Sequence, residues 1–218
     1  MSLVHPLLAG RGIDHAFGTR ADAEPPGLLR PRQVHGALAV AAAACRGGVE
    51  ADAVVAGRGG APVGVVTADC VPVLAAAADG AAVAAIHAGW RGLAAGVIAA
   101  GIDALRQEAR GTPILAAIGP HIAPCCYEVD APVLDALRYS GADLDAATRP
   151  SRPGHRRLDL GRVARDALLR AGVEATSIGA FEGACTSCDA ARFHSYRRDG
   201  ARSGRLVHWI RPGNPSSP

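Results

Sequence analysis

Short apolar runs bounded by turn residues dominate the first half of the chain. Runs of this length predict five strands, at 37–43, 52–56, 61–70, 71–78 and 81–87. The last two are separated by Asp79-Gly80, a dipeptide that favours the tight turn of a β-hairpin. Because the hairpin leads directly into the segment HAGWRG, functional groups in that segment are predicted to lie at a strand end.

The second half of the chain alternates between helical and strand patterns. Apolar residues recur at intervals of three or four between Gly92 and Arg110, which predicts one amphipathic helix. Further elements are predicted as a strand at 114–118, a helix at 131–139, a mobile surface loop at 141–156, a helix at 160–171, and strands at 175–181 and 205–210. Hairpin strands mixed with helices favour an α/β (α+β) fold of layered mixed sheets flanked by helices. A Rossmann fold is disfavoured because no GxGxxG occurs.

The composition is that of a globular chain. With 49% hydrophobic and 20% charged residues in 218 positions, it can bury a core without disulfides. This length fits one large domain, which we place at 1–211, followed by a disordered tail at 212–218. The N-terminus lacks the features of a secretory signal, and no apolar run reads as a membrane span, so we expect a cytoplasmic location and no membrane partner.

The charged residues exclude several classes of chemistry. Basic residues outnumber acidic ones by only 23 to 20, so the charge gives no reason to expect a nucleic acid as partner. All 23 basic residues are Arg. Schiff-base chemistry, pyridoxal phosphate catalysis and a P-loop are therefore excluded, since each needs a lysine. Anions must be bound by Arg, by backbone N–H groups or by a metal ion.

Three residues with metal-binding side chains stand where predicted strands end: His35 in RQVHG, Cys70 in TADC and His87 in IHAGWRG. Two imidazoles and a thiolate suit Zn²⁺, with a fourth position left for water or substrate. Their spacing matches no short zinc motif. The commoner alternative therefore stays open, in which no metal binds, the cysteine is half-buried and both histidines are hydrogen-bonded. Another alternative makes Cys70 a nucleophile and His87 its base, oriented by Asp69 or a backbone carbonyl, which leaves His35 without a role. Copper is disfavoured, because the only methionine, a usual axial ligand, is Met1.

A second group of cysteines consists of the adjacent Cys125-Cys126 and the CxxC pair Cys185 and Cys188. A CxxC serves redox chemistry or supplies half of a structural zinc site. No second CxxC occurs at a suitable distance, and the adjacent pair offers only one or two ligands. We therefore expect Cys185 and Cys188 to be reduced thiols that are dispensable for metal binding.

Arginines near these segments are the candidate anion-binding residues: Arg32, Arg91, Arg197 and Arg198. Arg91 is the strongest candidate, because it lies at the start of a predicted helix, whose free N–H groups also favour anions. The alternative for Arg91 is an ordinary surface position. The segment RFHSYRRDG (192–200) combines aromatic, hydroxyl and guanidinium groups, which suit a pocket for a flat ring but also a solvated turn.

At these segments the sequence resembles the YfiH family, also called the multicopper polyphenol oxidase or laccase-domain family and described as purine nucleoside phosphorylases. The matching segments are RQVHG (32–36), TADCVPVL (67–74), IHAGWRG (86–92), IGPHIAPCCYEV (118–129), CTSC (185–188) and SYRRDG (195–200). They span most of the chain in the family's order. HAGWRG, PCCYEV and SYRRDG together are highly specific for this family.

The resemblance implies one α/β domain of layered sheets, similar to the catalytic domain of a bacterial deamidating toxin. It also implies a zinc ion held by His35, Cys70 and His87. The sequence departs from the family at IGPHIAP, where members more often have GPxIGP with a small residue. We expect His121 and Ala123 to alter the rim of the substrate pocket.

The activity implied by the resemblance is phosphorolysis of adenosine, inosine and 5′-methylthioadenosine, with adenosine deamination as a second activity. Purine nucleosides and phosphate are then the partners. Arg91 would hold the phosphate that attacks the ribose C1′, and Asp69 would carry the proton. Arg32, Gln33 and Arg197 would contact the substrate. In deamination, water activated at the zinc would attack C6 of the purine.

Three other functions stay open. They are a metal-free Cys-His hydrolase acting on an amide, a copper-dependent polyphenol oxidase, and a non-enzymatic partner in envelope or division housekeeping. Metal analysis separates the first two from a zinc enzyme. A purine nucleoside that raises the melting temperature would exclude the third, since a ligand at 100 times its Kd stabilises by about 2.7 kcal/mol.

Overall fold

Three sheets and the helices packed on them make up the molecule, of which a computed structural model describes residues 2–213. In chain order the strands are β1 (His15–Phe17), β2 (Ala39–Ala41), β3 (Ala53–Ala56), β4 (Val63–Thr67), β5 (Val71–Ala77), β6 (Val83–Ala88), β7 (Ile114–Ile118), β8 (Glu128–Val129), β9 (Thr148–Pro150), β10 (Arg156–Leu158), β11 (Ile178–Ala180) and β12 (Leu206–Ile210). The α-helices are α1 (Pro6–Ala9), α2 (Trp90–Ala95), α3 (Val97–Ala109), α4 (Ala131–Tyr139), α5 (Leu144–Ala147), α6 (Leu160–Arg170) and α7 (Tyr196–Asp199). Short 3-10 turns occupy Ala42–Gly47, Ala175–Ser177 and Gly200–Arg202.

The largest sheet is mixed and has six strands in the order β11-β7-β5-β6-β3-β2. β11 and β7 are parallel, as are β3 and β2, and the other neighbours are antiparallel. One face packs against α3, α4 and α6, and the other against the small sheet β1-β12-β4. In β5, Val71 and Val73 join the helix-side core, while Leu74 and Ala76 join the core between the sheets. The predicted α/β fold of layered mixed sheets flanked by helices is confirmed.

The predicted hairpin is confirmed, and it positions part of the site. β5 and β6 pair in antiparallel register around the turn at Asp79-Gly80, where Gly80 adopts a φ of 71° that costs a glycine little. The register sets Pro72 opposite His87. Cys70, which stands just before β5, is thereby brought next to the end of β6.

The helix predicted at 92–110 is in fact two helices. Gly96 adopts a left-handed φ of 90°, its N–H closes the last turn of α2, and α3 begins at the next residue. The apolar spacing continues across this break, so the periodicity alone could not locate it. The helices predicted at 131–139 and 160–171 are confirmed as α4 and α6.

The prediction of a mobile loop at 141–156 is wrong, because the segment contains α5, β9 and the first residue of β10. Leu144 and Ala147 are buried, and the Thr148 hydroxyl donates to the Leu144 carbonyl at 2.7 Å. β9 and β10 form a third sheet with β8. The prolines and polar residues of this segment led to the prediction of a loop. Two buried apolar residues and the Thr148 hydroxyl instead hold it in regular structure.

The remaining strand predictions differ from the structure mainly at their ends. Strands predicted at 52–56, 114–118 and 205–210 correspond closely to β3, β7 and β12. Those at 37–43, 61–70 and 175–181 are shorter than predicted, because each begins or ends in a turn. Neither β1 nor α1 was predicted.

The C-terminal tail was predicted to be disordered over 212–218. Gly213 is hydrogen-bonded: its N–H donates to the Gly80 carbonyl at 2.8 Å, and its carbonyl accepts from the Gly59 N–H at 3.1 Å. Residues 214–218 lie outside the described residues, so the prediction for them is untested.

The helices between residues 2 and 213 are shorter than a membrane span requires. The longest, α3, has 13 residues, and none is long and apolar enough to cross a bilayer.

Candidate metal centre

Three side chains from separate segments converge on one point. His87 is buried on β6, Cys70 lies in the turn between β4 and β5, and His35 lies in the loop before β2. One ligand atom from each lies within 4.8 Å of the other two. The Cys70 Sγ is 4.0 Å from the His35 Nε2, and the two imidazole rings meet edge to face at 79°. The structure brings the three predicted ligands together, although His35 stands in a loop and not at a strand end.

Asp52, which was not singled out from the sequence, holds two of these ligands. Its fully buried carboxylate accepts hydrogen bonds from the His87 Nδ1 at 2.7 Å and from the backbone N–H groups of Val34, His35 and Gly36 at 3.2, 3.0 and 2.7 Å. His87 therefore presents its Nε2 to the centre. The same bonds hold His35 in a left-handed conformation with φ 60°. Burial alone would raise the pKa of Asp52, but the hydrogen bonds from His87, Gly36 and Val34 lower it below its usual value.

The alternative in which Asp69 orients His87 is wrong. The Asp69 Oδ1 accepts from the Thr186 hydroxyl at 2.6 Å, and its Oδ2 accepts from the Arg197 N–H at 2.6 Å. Asp69 has a φ of 91°, unusual for a residue with a Cβ, and these two bonds fix it there. Asp69 thus ties the turn containing Cys70 to the two C-terminal motifs. Its role as proton carrier stays a prediction.

The three donors fit a tetrahedral metal ion. Bonds of about 2.0–2.3 Å place neighbouring nitrogen and sulfur ligands of tetrahedral zinc about 3.3–3.6 Å apart. The 4.0 Å between the Cys70 Sγ and the His35 Nε2 is close to that value. Imidazole and thiolate also bind copper, so the donor types alone leave the metal's identity open.

Electrostatics at the centre favour the thiolate form of Cys70. Burial alone would raise the pKa of this thiol, but hydrogen bonds and charge from His35 and His87 lower it to about 7. Burial alone would lower the pKa of His87, but its hydrogen bonds to Asp52 and Cys70 raise it to about 9. A thiolate is the form that binds a metal and also the form that attacks as a nucleophile.

A cleft of about 660 Å³ opens at the three ligands, a size usual for small-molecule sites. Eight of the residues predicted for the site line it: Arg32, Gln33, His35, Asp69, Cys70, His87, Arg91 and Arg197. The prediction of Arg198 as a further anion-binding residue is wrong for this cleft, because its guanidinium instead donates to backbone carbonyls and to Asp199. The cleft is also lined by four residues that sequence reasoning did not single out: Arg30, Arg205, Trp90 and Tyr127. Tyr196 lines it too and belongs to the segment 192–200, which was proposed to suit a pocket for a flat ring. The cleft therefore combines a metal-ligand set with several guanidinium groups and aromatic rings.

Two of the cleft arginines lie over aromatic rings. The Arg91 guanidinium is 4.3 Å from the centre of the Trp90 ring, and that of Arg197 is 5.0 Å from the Tyr127 ring. The Arg197 Nη1 also donates to the Glu128 carbonyl at 2.9 Å. Arg197 is thus held by two contacts, and Arg91 is held by its contact with the Trp90 ring.

Arg32 and Gln33 are partly engaged by the protein itself. Arg32 forms an ion pair with Glu50. The Gln33 amide donates to the Val66 carbonyl and accepts from the Val66 N–H, both at 2.7 Å, which joins the loop before β2 to β4. Their predicted contacts with a substrate stay predictions.

His121 and Ala123 do not line this cleft, contrary to our expectation for its rim. They line a separate depression, in which the His121 Nδ1 donates to the Gly119 carbonyl at 2.8 Å. Burial lowers the pKa of His121, against the opposing effects of that carbonyl and Asp159. The intervening Ile122 does line the cleft.

The expectation that the CxxC pair lacks partner cysteines is also wrong. The sulfur atoms of Cys125, Cys126, Cys185 and Cys188 all lie within 4.8 Å of one another. The sequence around each cysteine pair gave no sign that the four thiols meet. The two pairs lie in loops that are distant in the chain and adjacent in the fold.

Gly89 offers a test of the metal centre by steric means. A Cβ at this position would lie 3.0 Å from the Cys70 Sγ and 3.1 Å from the His35 Cδ2, while the φ of −72° suits any residue. Gly89→Ala should therefore leave the fold intact and weaken metal binding about 10-fold, as for other changes next to metal ligands. Competition with a chromophoric chelator measures this, and Gly47→Ala is the control, because its Cβ would meet nothing within 4 Å. Unchanged affinity in Gly89→Ala would contradict a metal held by these two residues.

Comparison with known proteins gives matches over most of the chain. A family model described as multi-copper polyphenol oxidoreductase laccase matches residues 15–212. A purine nucleoside phosphorylase from Xylella fastidiosa is 43% identical over 162 residues, 73% of this chain and 61% of that protein. The adenosine deaminase RL5 of an unknown prokaryotic organism is 37% identical over 161 residues, 73% of this chain and 61% of that protein. The matched region thus spans about three fifths of each of these two relatives.

The crystal structure of YlmD from Geobacillus stearothermophilus superposes with a TM-score of 0.83 at 28% identity, over 96% of this chain and 94% of that one. The layered fold is therefore shared with that protein. The resemblance predicted from the motifs is confirmed, and the chain belongs to the multi-copper polyphenol oxidoreductase laccase family, also known as the YfiH family.

Proposed function

We propose that the chain is a zinc-dependent purine nucleoside enzyme. Its main reaction is phosphorolysis of adenosine, inosine and 5′-methylthioadenosine, and adenosine deamination is a second activity. The observation that carries this proposal is the cleft itself, where one His2Cys donor set, several arginines and several aromatic rings face the same space. The names of the phosphorylase and deaminase relatives support it.

The aromatic residues suit the purine. Trp90, Tyr127 and Tyr196 line the cleft and offer flat apolar faces of the kind that stack on a base. The guanidinium groups of Arg91 and Arg197 lie over one face of the Trp90 and Tyr127 rings. A base can stack on a ring face that they leave open, with an anionic group bound beside it by the guanidinium groups. A nucleoside and a phosphate ion have this combination of chemistry.

The arginines suit the phosphate. Arg91 is the residue we assign to hold it, with Arg197 beside it. In phosphorolysis a phosphate oxygen bonds to the ribose C1′, the bond from C1′ to the purine N9 breaks, and the departing base takes up a proton. Both guanidinium groups can neutralise the phosphate and orient it toward C1′.

Zinc bound by His35, Cys70 and His87 would supply Lewis-acid polarisation and lower the pKa of a bound water. Asp52 fixes the His87 ring and the His35 backbone, so the ligands are oriented before binding. Asp69 lies at the cleft, and its carboxylate oxygens keep lone pairs beyond those used by Thr186 and Arg197. We assign Asp69 the relay to the leaving base of the proton that hydrogen phosphate releases when its oxygen bonds to C1′.

The test is to incubate purified protein with adenosine, with and without phosphate, and to identify the products. Adenine and ribose 1-phosphate that form only with phosphate are the expected result, together with a smaller yield of inosine and ammonia. Arg91→Ala should reduce phosphorolysis about 100-fold and deamination much less, because only the first reaction uses phosphate. Arg58→Ala, an exposed residue paired with Asp79 away from the cleft, is the control. Absence of both product pairs would contradict the proposal.

A metal-free Cys-His hydrolase is the second candidate, and one observation favours it. Cys70, His87 and Asp52 form a thiol, imidazole and carboxylate series of the kind used in nucleophilic catalysis. This candidate gives no role to the His35 imidazole at the same point. The metal content of Cys70 and His35 variants separates the hydrolase from the zinc enzyme. Elemental analysis of the wild-type protein separates both from a copper oxidase, which would contain copper.

A further inference from the structure

A second group of four thiols lies outside the cleft. The Cys126 and Cys188 Sγ atoms are 3.3 Å apart, Cys125 and Cys188 are 3.6 Å apart, and Cys125 and Cys126 are 3.8 Å apart. Cys185 completes the group, in which all sulfur atoms lie within 4.8 Å of one another. Cys185 is buried, whereas Cys125 and Cys188 are exposed.

The fold explains why these thiols meet. β7 and β11 are parallel neighbours, so the loops that follow them leave the sheet side by side. The first loop carries Cys125-Cys126 and the second carries the CxxC pair. The Thr186 N–H donates to the His121 carbonyl at 3.0 Å, and the Ala123 N–H donates to the Cys185 Sγ at 3.4 Å, so backbone bonds also join the loops.

The spacing of the sulfurs is that of ligands to a single ion. Four thiolates at about 2.3 Å from a tetrahedral zinc stand about 3.8 Å from one another. The three measured separations, 3.3 to 3.8 Å, are near that value. An iron–sulfur cluster would place several irons and sulfides between the cysteines and spread them further apart.

A disulfide accounts for less of the arrangement. It would join two sulfurs at about 2.05 Å and leave the other two thiols unexplained in the same small volume. Two disulfides would each have to draw sulfurs together from beyond 3 Å. A single ion uses all four cysteines at once with little movement.

The surroundings can stabilise thiolates. The Ala123 N–H that donates to the buried Cys185 Sγ at 3.4 Å is a contact that favours a thiolate. The Arg157 guanidinium donates to the Cys125 carbonyl at 3.0 Å, which sets a positive charge beside a site that would carry two excess negative charges as Zn(Cys)4.

We propose that Cys125, Cys126, Cys185 and Cys188 hold a structural zinc ion, distinct from the metal at His35, Cys70 and His87. The ion joins the loop that leads to Tyr127, a cleft residue, to the loop whose Thr186 holds Asp69. Tyr127 follows Cys126 directly and lines the cleft, and Thr186 follows Cys185 and donates to Asp69. The second zinc therefore keeps both of these residues in place without touching a substrate.

The experiment counts metal ions and assigns each to its ligands. Elemental analysis of protein purified without chelator should give about two zinc ions per chain. Cys185→Ser with Cys188→Ser should give about one, His35→Ala should also give about one, and the three substitutions together should give close to none. Cys45→Ser is the control, because Cys45 is a half-buried thiol outside both groups and should retain two.

Wild-type protein provides a second measurement that does not depend on how the variants fold. Iodoacetamide followed by peptide mass mapping should leave the four cysteines unmodified until a strong chelator is added. Replacement of the ion by Co²⁺ should give the intense visible bands of tetrahedral thiolate coordination, and these should persist in His35→Ala. The proposal is wrong if the four thiols alkylate at once in untreated protein, if peptides joined by a disulfide are found, or if the bound metal is iron. Because this readout is metal and not turnover, its failure would leave the proposed nucleoside chemistry intact.

Discussion

Cys70→Ser should remove one zinc ion per chain and lower phosphorolysis at least about 10³-fold, which corresponds to several kcal/mol of transition-state stabilisation. A serine hydroxyl is a much poorer zinc donor than a thiolate, and the remaining His35 and His87 offer only two ligands. His35→Ala should cause the same paired loss. Elemental analysis and the rate of product formation measure the two effects on the same samples.

The nucleophile alternative gives a different result for the same variants. If Cys70 attacked the substrate, Cys70→Ser would abolish turnover without removing metal, and His35→Ala would change little. Iodoacetamide adds a second distinction, because a metal-bound thiolate should be protected until chelator is added. Fast alkylation of Cys70 in untreated protein, with metal content unchanged in Cys70→Ser, would make the hydrolase the better assignment.

Asp52→Asn should be the most damaging change outside the ligands. The carboxylate accepts four hydrogen bonds, and an amide in the same place turns an N–H2 group toward some of those donors. Leaving two buried donors unpaired costs about 2–5 kcal/mol. For a chain of this size the melting temperature should fall by about 5–15 °C. Zinc affinity at the centre should fall about 10–100-fold, since the His87 ring and the His35 backbone lose their support.

The matched control for Asp52→Asn is Asp103→Asn. Asp103 lies on α3 with its side chain 67% exposed and only a surface pair to Arg106, so its loss should change stability by less than about 0.5 kcal/mol. Thermal unfolding and metal titration of both variants provide the comparison. Equal metal affinity in Asp52→Asn and wild type would show that the carboxylate does not position the ligands.

The sequence by itself determined much of the secondary structure and the composition of the site. Apolar runs and the Asp79-Gly80 turn placed the β5-β6 hairpin, and amphipathic spacing placed α4 and α6, because these patterns are local consequences of burying one face of an element. The absence of lysine limited the chemistry. The motifs led to one hypothetical site that contains the three metal ligands together with Arg32, Arg91 and Arg197. All six of these residues line the cleft.

Tertiary structure alone decided which distant residues meet. Asp52 begins an apolar strand, and nothing in the neighbouring sequence indicated a role for it. Its four hydrogen-bond donors come from segments that only the folded sheet brings next to it. The two cysteine pairs gave no zinc spacing, because their partnership depends on β7 and β11 being parallel neighbours. Local sequence records how each segment buries its own apolar face. Hydrogen bonds and metal ligands between segments depend on sheet order and register, which no short-range pattern contains.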